Sequence, residues 1–131
     1  MSEYAEHRDL IKRARANTDK HPELAWLITI PTEIGGMRSR FRPLLAKGAP
    51  DLVLPVRRMG FGGLWMELKY GKNRPTKEQK ECLSFLGEQR YLSAWAVGCD
   101  AAWQLTLKYL NSEEISISEK GQYIFAEEGL T

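Results

Sequence analysis

The spacing of apolar residues along the chain predicts three helices and five strands. Apolar side chains recur with a helical period over residues 3–16 and over about 77–88, where Thr76 is a residue type that caps helices. A third helix, capped by Asp100, is predicted over about 101–110. Short apolar runs predict strands, which we place at residues 26–30, 52–56, 64–69, 91–97 and, at an edge, 122–126.

The order of these elements indicates the fold class. Strands that are followed by a helix and a further strand imply a mixed β-sheet with helices packed against it, so the sequence predicts an α/β fold. The 131 residues are enough for one domain with a sizeable core. We expect a single domain over residues 1–131, with a core over about 2–110 and an acidic tail over 111–131.

Aromatic and apolar residues within the predicted elements are assigned to the core. The buried face of the helix over 77–88 should consist of Cys82, Leu83, Phe85 and Leu86. The four tryptophans are assigned to the core in preference to a role as base-stacking platforms, and they are Trp26, Trp65, Trp95 and Trp103.

Composition excludes several classes of protein. Hydrophobic residues make up 43% of the chain, which excludes wholesale disorder. Cys82 and Cys99 stand in unrelated settings without Cys/His spacing, so a zinc site is not expected and both thiols should stay reduced. The chain has no secretory signal and no apolar stretch long enough to cross a membrane. We therefore expect a soluble, cytoplasmic protein.

Charge is distributed unevenly although the net charge is only +2. Residues 35–58 carry one acid, Asp51, among six cations, which are Arg38, Arg40, Arg42, Lys47, Arg57 and Arg58. A basic segment beside an acidic site suits a polyanionic substrate, whose phosphates the cations would hold. The alternative is an ordinary charged surface.

Two acids and a lysine interrupt strands that are otherwise largely apolar. Asp51 opens the run 52–56, and Glu67 and Lys69 lie in the run 64–69. Burial of a carboxylate among apolar neighbours is costly unless it is paired or bound to a metal. Because side chains alternate along a strand, Glu67 and Lys69 share a face, and a suitable register would bring Asp51 beside Glu67.

This set of residues indicates phosphodiester hydrolysis with a divalent metal. Hard cations such as Mg²⁺ bind one or two carboxylates together with water and phosphate oxygens. Such a cation polarises a phosphate and lowers the pKa of bound water. Lys69 would orient or deprotonate that water or neutralise the phosphate. The alternative is a surface ion pair between Glu67 and Lys69.

Two further polar residues have both a structural and a functional interpretation. Gln79 either completes a capping box with Thr76 or directs its amide toward the site. Glu3 is a lone acid in the first helix and is either solvated or part of the site. His7 and His21 are expected on the surface rather than among metal ligands.

The chain contains, in this order, Glu3, Pro50-Asp51, Glu67-Leu68-Lys69 and Gln79. With this pattern it resembles the virus-type replication-repair nuclease domain (VRR-NUC), a branch of the PD-(D/E)xK nuclease superfamily. The resemblance extends over about residues 2–110. It includes Pro22-Glu23-Leu24, Ile30-Pro31, Gly35-Gly36-Met37-Arg38, Gly48, Gly63-Leu64, Thr76-Lys77-Glu78-Gln79 and Tyr109-Leu110.

The resemblance implies a restriction-endonuclease-like core of αβββαβ order and a set of site residues. Mg²⁺, or Mn²⁺ in its place, would be held by Asp51, Glu67 and the backbone carbonyl of Leu68. Lys69 matches the catalytic lysine, Gln79 the family glutamine and Glu3 the acid of the first helix. Glu6, one turn further along, is an alternative to Glu3.

The chain departs from the family pattern at three places. His7 stands where many relatives carry glutamine, and Glu33-Ile34-Gly35-Gly36 replaces an Asn-Gly-Gly segment. The stretch before Pro50-Asp51, which ends Lys47-Gly48-Ala49, is shorter than usual. These differences affect contacts with the substrate more than the chemistry.

The function that the residues and the resemblance imply is that of a divalent-metal-dependent endodeoxyribonuclease. Stand-alone members of about this size come from phages and bacteria and are similar to Holliday-junction resolvases. The resemblance therefore implies branched DNA as substrate and a homodimer as active species. The alternatives are a nuclease with a simpler duplex, flap or single-strand preference, an inert nucleic-acid-binding module, and a structural protein whose acids decorate its surface.

Overall fold

Three helices and a five-stranded sheet form the part of the chain that the computed structural model describes, which is residues 2–30, 47–117 and the backbone of 122–125. Helix α1 spans Glu3–Ala16, α2 spans Lys77–Glu88 and α3 spans Cys99–Leu110. A 3-10 helix covers Pro22–Trp26. The strands are β1 (Ile28–Thr29), β2 (Leu52–Leu54), β3 (Leu64–Lys69), β4 (Leu92–Val97) and β5 (Gln122–Phe125).

The sheet is mixed, as predicted, and its strands lie side by side in chain order. Strand β2 pairs antiparallel with both β1 and β3, whereas β4 pairs parallel with both β3 and β5. Helix α2 makes the crossover between the parallel strands β3 and β4. The observed order confirms the αβββαβ prediction, with α3 and the predicted edge strand β5 following it.

Strand β3 is covered on both faces, which explains its nearly continuous burial. Leu64, Met66 and Leu68 belong to the main apolar core, which also includes residues of α1 and α3. Thr106 of α3, for example, lies 3.7 Å from the sulfur of Met66. Because side chains alternate, Trp65, Glu67 and Lys69 face the opposite side, toward α2.

Helix α2 begins and ends at the predicted residues. Its start is fixed by a complete capping box in the first turn. Leu83 and Leu86 are buried as predicted, and Cys82 is half-buried. The assignment of Phe85 to this face is wrong, since its side chain is 58% exposed. Phe85 follows Leu83 by only two positions and therefore points away from the sheet.

Two other sequence predictions are corrected. Trp26 is 67% exposed in the 3-10 helix, so it is neither a core residue nor part of β1, which is shorter than predicted. Asp100 does not cap α3, because the N-cap position belongs to Gly98. Asp100 instead pairs with Arg13 of α1 at 2.7 Å.

Among the described residues, no helix is both long and apolar enough to span a membrane.

Candidate active site

The predicted acids Asp51 and Glu67 lie together at the end of the sheet where β2 begins and β3 ends. Strands β2 and β3 pair Leu52 with Met66, so the residues that flank this pair are neighbours. The Oδ2 atom of Asp51 accepts a hydrogen bond from the backbone N–H of Leu68 at 2.9 Å. This bond holds the carboxylate against the main chain that carries Glu67.

The approach of the chain to Asp51 depends on Gly48 and the buried residue Pro50. Gly48 has a φ of +85°, and a Cβ atom at this position would lie 2.5 Å from the backbone of Glu78. Glycine is therefore required both by the backbone conformation and by the close contact with the first turn of α2. The contact places Asp51 close to the turn that carries Gln79.

Glu67 is the most deeply buried acid of the site, with only 3% of its surface exposed. Its Oε2 atom accepts a hydrogen bond from Nε2 of Gln79 at 3.0 Å and lies 3.4 Å from Nζ of Lys69. Its Oε1 atom is buried and has no hydrogen-bond partner among the described residues. One oxygen of Glu67 is thus fully engaged and the other is available to a ligand.

The protonation of Glu67 reflects this environment. Burial, followed by the nearby charge of Asp51, raises the pKa of Glu67 to about 8, and Lys69 only partly opposes this. A bound cation would favour the ionised form of both carboxyl groups, because it would offset the repulsion and the lost solvation. The carboxyl pair is therefore poorly stabilised by its protein neighbours alone.

Gln79 satisfies both interpretations of the sequence. Its Oε1 atom accepts from the backbone N–H of Thr76 at 2.8 Å, which closes the capping box. Its Nε2 group points the other way and donates to Glu67. One amide thereby couples the start of α2 to the orientation of the buried carboxylate.

Lys69 is 7% exposed and lies between two acids. Its Nζ atom is 3.4 Å from Glu67 and 3.8 Å from Oε1 of Glu3 in the first turn of α1. Glu6 is directed elsewhere, since it accepts a hydrogen bond of 2.7 Å from the backbone N–H of Cys99 at the start of α3. Of the two candidates in α1, the structure brings Glu3 to the site.

His7, which was expected on the surface rather than among metal ligands, is only partly exposed. The ring is half-buried, and its Nε2 atom lies 3.1 Å from Oγ1 of Thr29 in β1. Burial lowers the pKa of His7, while the charge of Asp51 opposes the shift. The sequence did contain a signal, because Glu3, His7, Leu10 and Ala14 follow one another at helical spacing on the inner side of α1.

The predicted phosphate-binding cations fall into two groups. Arg38, Arg40 and Arg42 lie outside the described residues. Lys47 is described, and its exposed side chain is 3.6 Å from Oε1 of Glu78 at the start of α2. Its position shortly before Asp51 keeps it near the acids along the chain.

The residues fit a small divalent cation that binds oxygen. Within residues 2–30 and 47–117, no group of three or more His, Cys, Asp or Glu side chains is arranged to hold a metal. The Asp51–Glu67 pair offers two carboxylates, one of which has a buried oxygen that no other described residue bonds. Mg²⁺ commonly uses only one or two carboxylates and keeps its remaining positions for water and phosphate. The donor set therefore suits Mg²⁺ or Mn²⁺ and does not suit zinc.

The fold and the site together define an α/β protein with two acids and a lysine at one end of a mixed sheet. The chain is similar to a solved structure described as a "VRR_NUC domain protein", with a TM-score of 0.74 and 22% sequence identity. The match covers 88% of this chain and 93% of the other. No family model matches the chain, and no curated protein matches it. The similarity confirms the predicted fold.

Proposed function

We propose that this chain is a VRR-NUC-type nuclease domain, a divalent-metal-dependent DNA endonuclease that hydrolyses phosphodiester bonds. The observation that carries the proposal is the buried carboxylate of Glu67 beside Asp51, with one oxygen held by Gln79 and the other without a hydrogen-bond partner among the described residues. A buried acid left in this state destabilises the fold unless a ligand compensates it. The shared fold with a VRR_NUC domain protein supports the same assignment.

Asp51, Glu67 and the backbone carbonyl of Leu68 would hold the cation. The N–H group of Leu68 already bonds to Asp51, so this stretch of main chain is fixed beside the carboxylates. A bound Mg²⁺ or Mn²⁺ would supply Lewis-acid polarisation of the phosphate and a lower pKa for the attacking water. Both ions prefer oxygen ligands, and the proposed set consists of oxygen atoms alone.

Lys69 would act directly on the reacting groups, and Glu3 and Gln79 would position the side chains around it. The ammonium group of Lys69 is positioned to hold or move a proton of the attacking water, or to neutralise charge on the phosphate. Glu3 would keep the lysine from collapsing fully onto Glu67, since it lies on the other side of the ammonium group. Gln79 would fix the orientation of Glu67 through its single donated bond.

Branched DNA, such as a Holliday junction, is proposed as the substrate. The support is the resemblance to stand-alone nucleases of this type and the basic segment that precedes Asp51. A DNA partner requires cations near the acid pair, and Lys47 lies next to the first turn of α2. A core over about 2–110 would contain every residue assigned to the chemistry, leaving residues 111–131 as a tail.

A homodimer is proposed as the active species. One small domain with a single acid pair cuts one strand at a time, whereas symmetric cleavage of a junction needs two sites that face it. A two-fold dimer would bury the same patch on both chains, roughly 1,200 Å² or more in total. Sedimentation at micromolar concentration should give twice the chain mass, and a strictly monomeric chain that nicks one strand would overturn this part of the proposal.

Cleavage assays on labelled linear, flap and four-way DNA, with and without each metal, test the main proposal. We expect cleavage only with Mg²⁺ or Mn²⁺ and the fastest cleavage on the four-way substrate. Faster cleavage of flap or linear DNA would support the simpler preference and overturn the junction assignment. Binding without cleavage under every metal condition would indicate an inert module. A protein that neither binds nor cuts DNA would contradict the assignment as a nuclease.

A further inference from the structure

The loop between β3 and α2 is anchored in the candidate site at both ends. It begins directly after Lys69 and ends at Thr76, which caps the helix that carries Gln79. Gly71 has a φ of +61°, and the N–H group of Asn73 donates to the carbonyl of Tyr70 at 3.1 Å. These features turn the chain tightly, so the rest of the loop stays beside the acids.

Arg74 is the cation of this loop whose direction the structure defines best. Its Nη1 group donates to the carbonyl oxygens of Gly71, at 3.1 Å, and Asn73, at 2.8 Å. Its Cζ atom lies 5.5 Å from the centre of the Trp95 ring. An exposed arginine that stacks on an aromatic face and bonds to its own loop loses much of its freedom before any ligand arrives.

The position of Trp95 links Arg74 to the chemistry. In the parallel pairing of β3 and β4, Trp95 is the direct partner of Glu67. Neighbouring strands lie about 4.8 Å apart, and directly paired residues point to the same face of the sheet. The guanidinium group therefore lies over the strand neighbour of Glu67, on the face of the sheet that carries Glu67 and Lys69.

We propose that Arg74, supported by Trp95, binds a phosphate of the DNA backbone within a few nucleotides of the one that is cleaved. The inference rests on the proposed function and adds a substrate-positioning residue to it. A DNA strand carries a phosphate about every 3.4 Å along the duplex axis, so only a few phosphates separate the acid pair from the guanidinium group. Arginine suits this role because its planar fork can stack with one face and direct N–H groups at phosphate oxygens.

The chemistry favours a phosphate over a base as the ligand of Arg74. Cleavage next to the acid pair requires the backbone, not the base edges, to approach this end of the sheet. Contacts to phosphates fix the register of a strand and carry no sequence information. Arg74 should therefore act on every DNA substrate alike, and its loss should affect binding more than the chemical step.

Four variants in the wild-type background test the inference, and these are Arg74→Ala, Arg74→Lys, Trp95→Leu and the control Lys72→Ala. Lys72 is an exposed cation of the same loop and matches Arg74 in charge. Affinity for labelled duplex and four-way DNA would be measured in EDTA across a salt series, and KM and kcat would be measured with Mg²⁺. Thermal melting reports whether each variant keeps the fold.

We expect Arg74→Ala to weaken binding about tenfold on both substrates and to lower the log–log salt slope by about one. KM should rise while kcat and the melting temperature stay close to wild type. Arg74→Lys should recover part of the affinity, because the charge returns without the planar fork. Trp95→Leu should lose affinity in part, because the guanidinium group loses its support.

Three results would count against the inference. Equal losses in Arg74→Ala and Lys72→Ala would indicate general attraction of the polyanion instead of a defined contact. A loss of affinity that follows the melting temperature through all four variants would assign Arg74 a purely structural role. If Arg74→Ala bound and cut DNA as the wild type does, this inference alone would be overturned. If the wild-type chain neither bound nor cut DNA, the proposed function would be overturned as well.

Discussion

Charged groups cluster at both ends of β2, and the two clusters differ in how completely they are bonded. Beyond the end of β2, Arg58 donates from all three guanidinium nitrogens, to the carbonyl oxygens of Leu110 and Arg57 and to the carboxylate of Glu23. At the opposite end, beside the start of β2, Glu67 and Glu3 each keep a buried oxygen without a hydrogen-bond partner among the described residues. The first cluster is complete as it stands and the second is not.

We interpret the difference as that between a structural cluster and the proposed functional one. Buried polar groups in native proteins are nearly always bonded, so an exception needs a physical reason. The third such atom in the described residues, Nε1 of Trp65, belongs to the same face of β3 as Glu67. The other two atoms belong to Glu67 and Glu3 at the proposed active site, where a bound cation would supply the interaction that the Glu67 oxygen lacks.

Removal of one carboxylate of the Asp51–Glu67 pair should have the largest effect on cleavage. Glu67→Gln and Asp51→Asn should each reduce cleavage below detection, because each removes a proposed metal ligand at nearly constant shape. Both variants should melt at or above the temperature of the metal-free wild type, since they relieve repulsion between the carboxylates. Arg58→Ala should do the opposite: unchanged cleavage per folded molecule, with stability lower by about 2 kcal/mol and melting lower by about 8 °C.

Single-turnover cleavage and thermal melting in EDTA would measure both properties on the same samples. Wild-type cleavage by Glu67→Gln or Asp51→Asn would sink the assignment of the metal ligands. A stable Arg58→Ala protein with lost cleavage would move part of the functional site to the other end of β2.

Lys69 should produce the next largest effect. Lys69→Ala should lower kcat by about 10²-fold, the scale of a positioned proton-transfer group, while the concentration of Mg²⁺ needed for half-maximal rate changes little. Titration of Mg²⁺ in single-turnover cleavage separates the two quantities. If additional metal restored the full rate of Lys69→Ala, the lysine would serve metal binding and not the chemical step.

Much of the fold and of the acid pair could be predicted because the local signals agreed with one another. The capping residues of α2 and the alternation in β3 describe local geometry, and both predictions hold in the structure. A pair of acids in apolar strands is visible in sequence because burial makes it costly. The neighbourhood of Asp51 and Glu67 followed from the expected pairing of two consecutive strands.

The remaining features depend on contacts between distant parts of the chain. The location of Glu6 at the start of α3 and of Arg74 over Trp95 required the packing of whole elements. Arg58 was counted with the basic segment, yet its bonds to Leu110 and Glu23 direct it inward. The position of a charged residue in the sequence does not reveal whether its side chain bonds to other parts of the protein or faces solvent.

The stability of the metal-free protein should depend on pH through Glu67. Its pKa is near 4.5 in an unfolded chain and about 8 in the fold. The protonated carboxyl favours the folded state, so this contribution is complete below pH 4.5 and is lost as the pH rises through 8. We expect the melting temperature in EDTA to fall as the pH rises from about 5 and to level off above about 8, and the part of this fall above pH 7 lies beyond the ordinary pKa of His7.

Glu67→Gln should flatten this fall, and Glu23→Gln should retain it. Melting curves at closely spaced pH values, with Mg²⁺ absent, measure both slopes. A wild-type slope in Glu67→Gln would assign the pH dependence to another group and would contradict the raised pKa of Glu67.

The smallest expected effect distinguishes two acids one turn apart on α1. Glu3→Gln should slow cleavage by about tenfold through a misplaced Lys69 and leave the melting temperature unchanged, since the ion pair at 3.8 Å is partly exposed. Glu6→Gln should lower stability by about 1 kcal/mol, because it weakens the charged bond to the N–H of Cys99 at the start of α3, and should leave the rate unchanged. The two substitutions are chemically identical, so rate and melting temperature separate position from chemistry. If Glu6→Gln slowed cleavage and Glu3→Gln lowered the melting temperature, the roles of the two acids would be reversed.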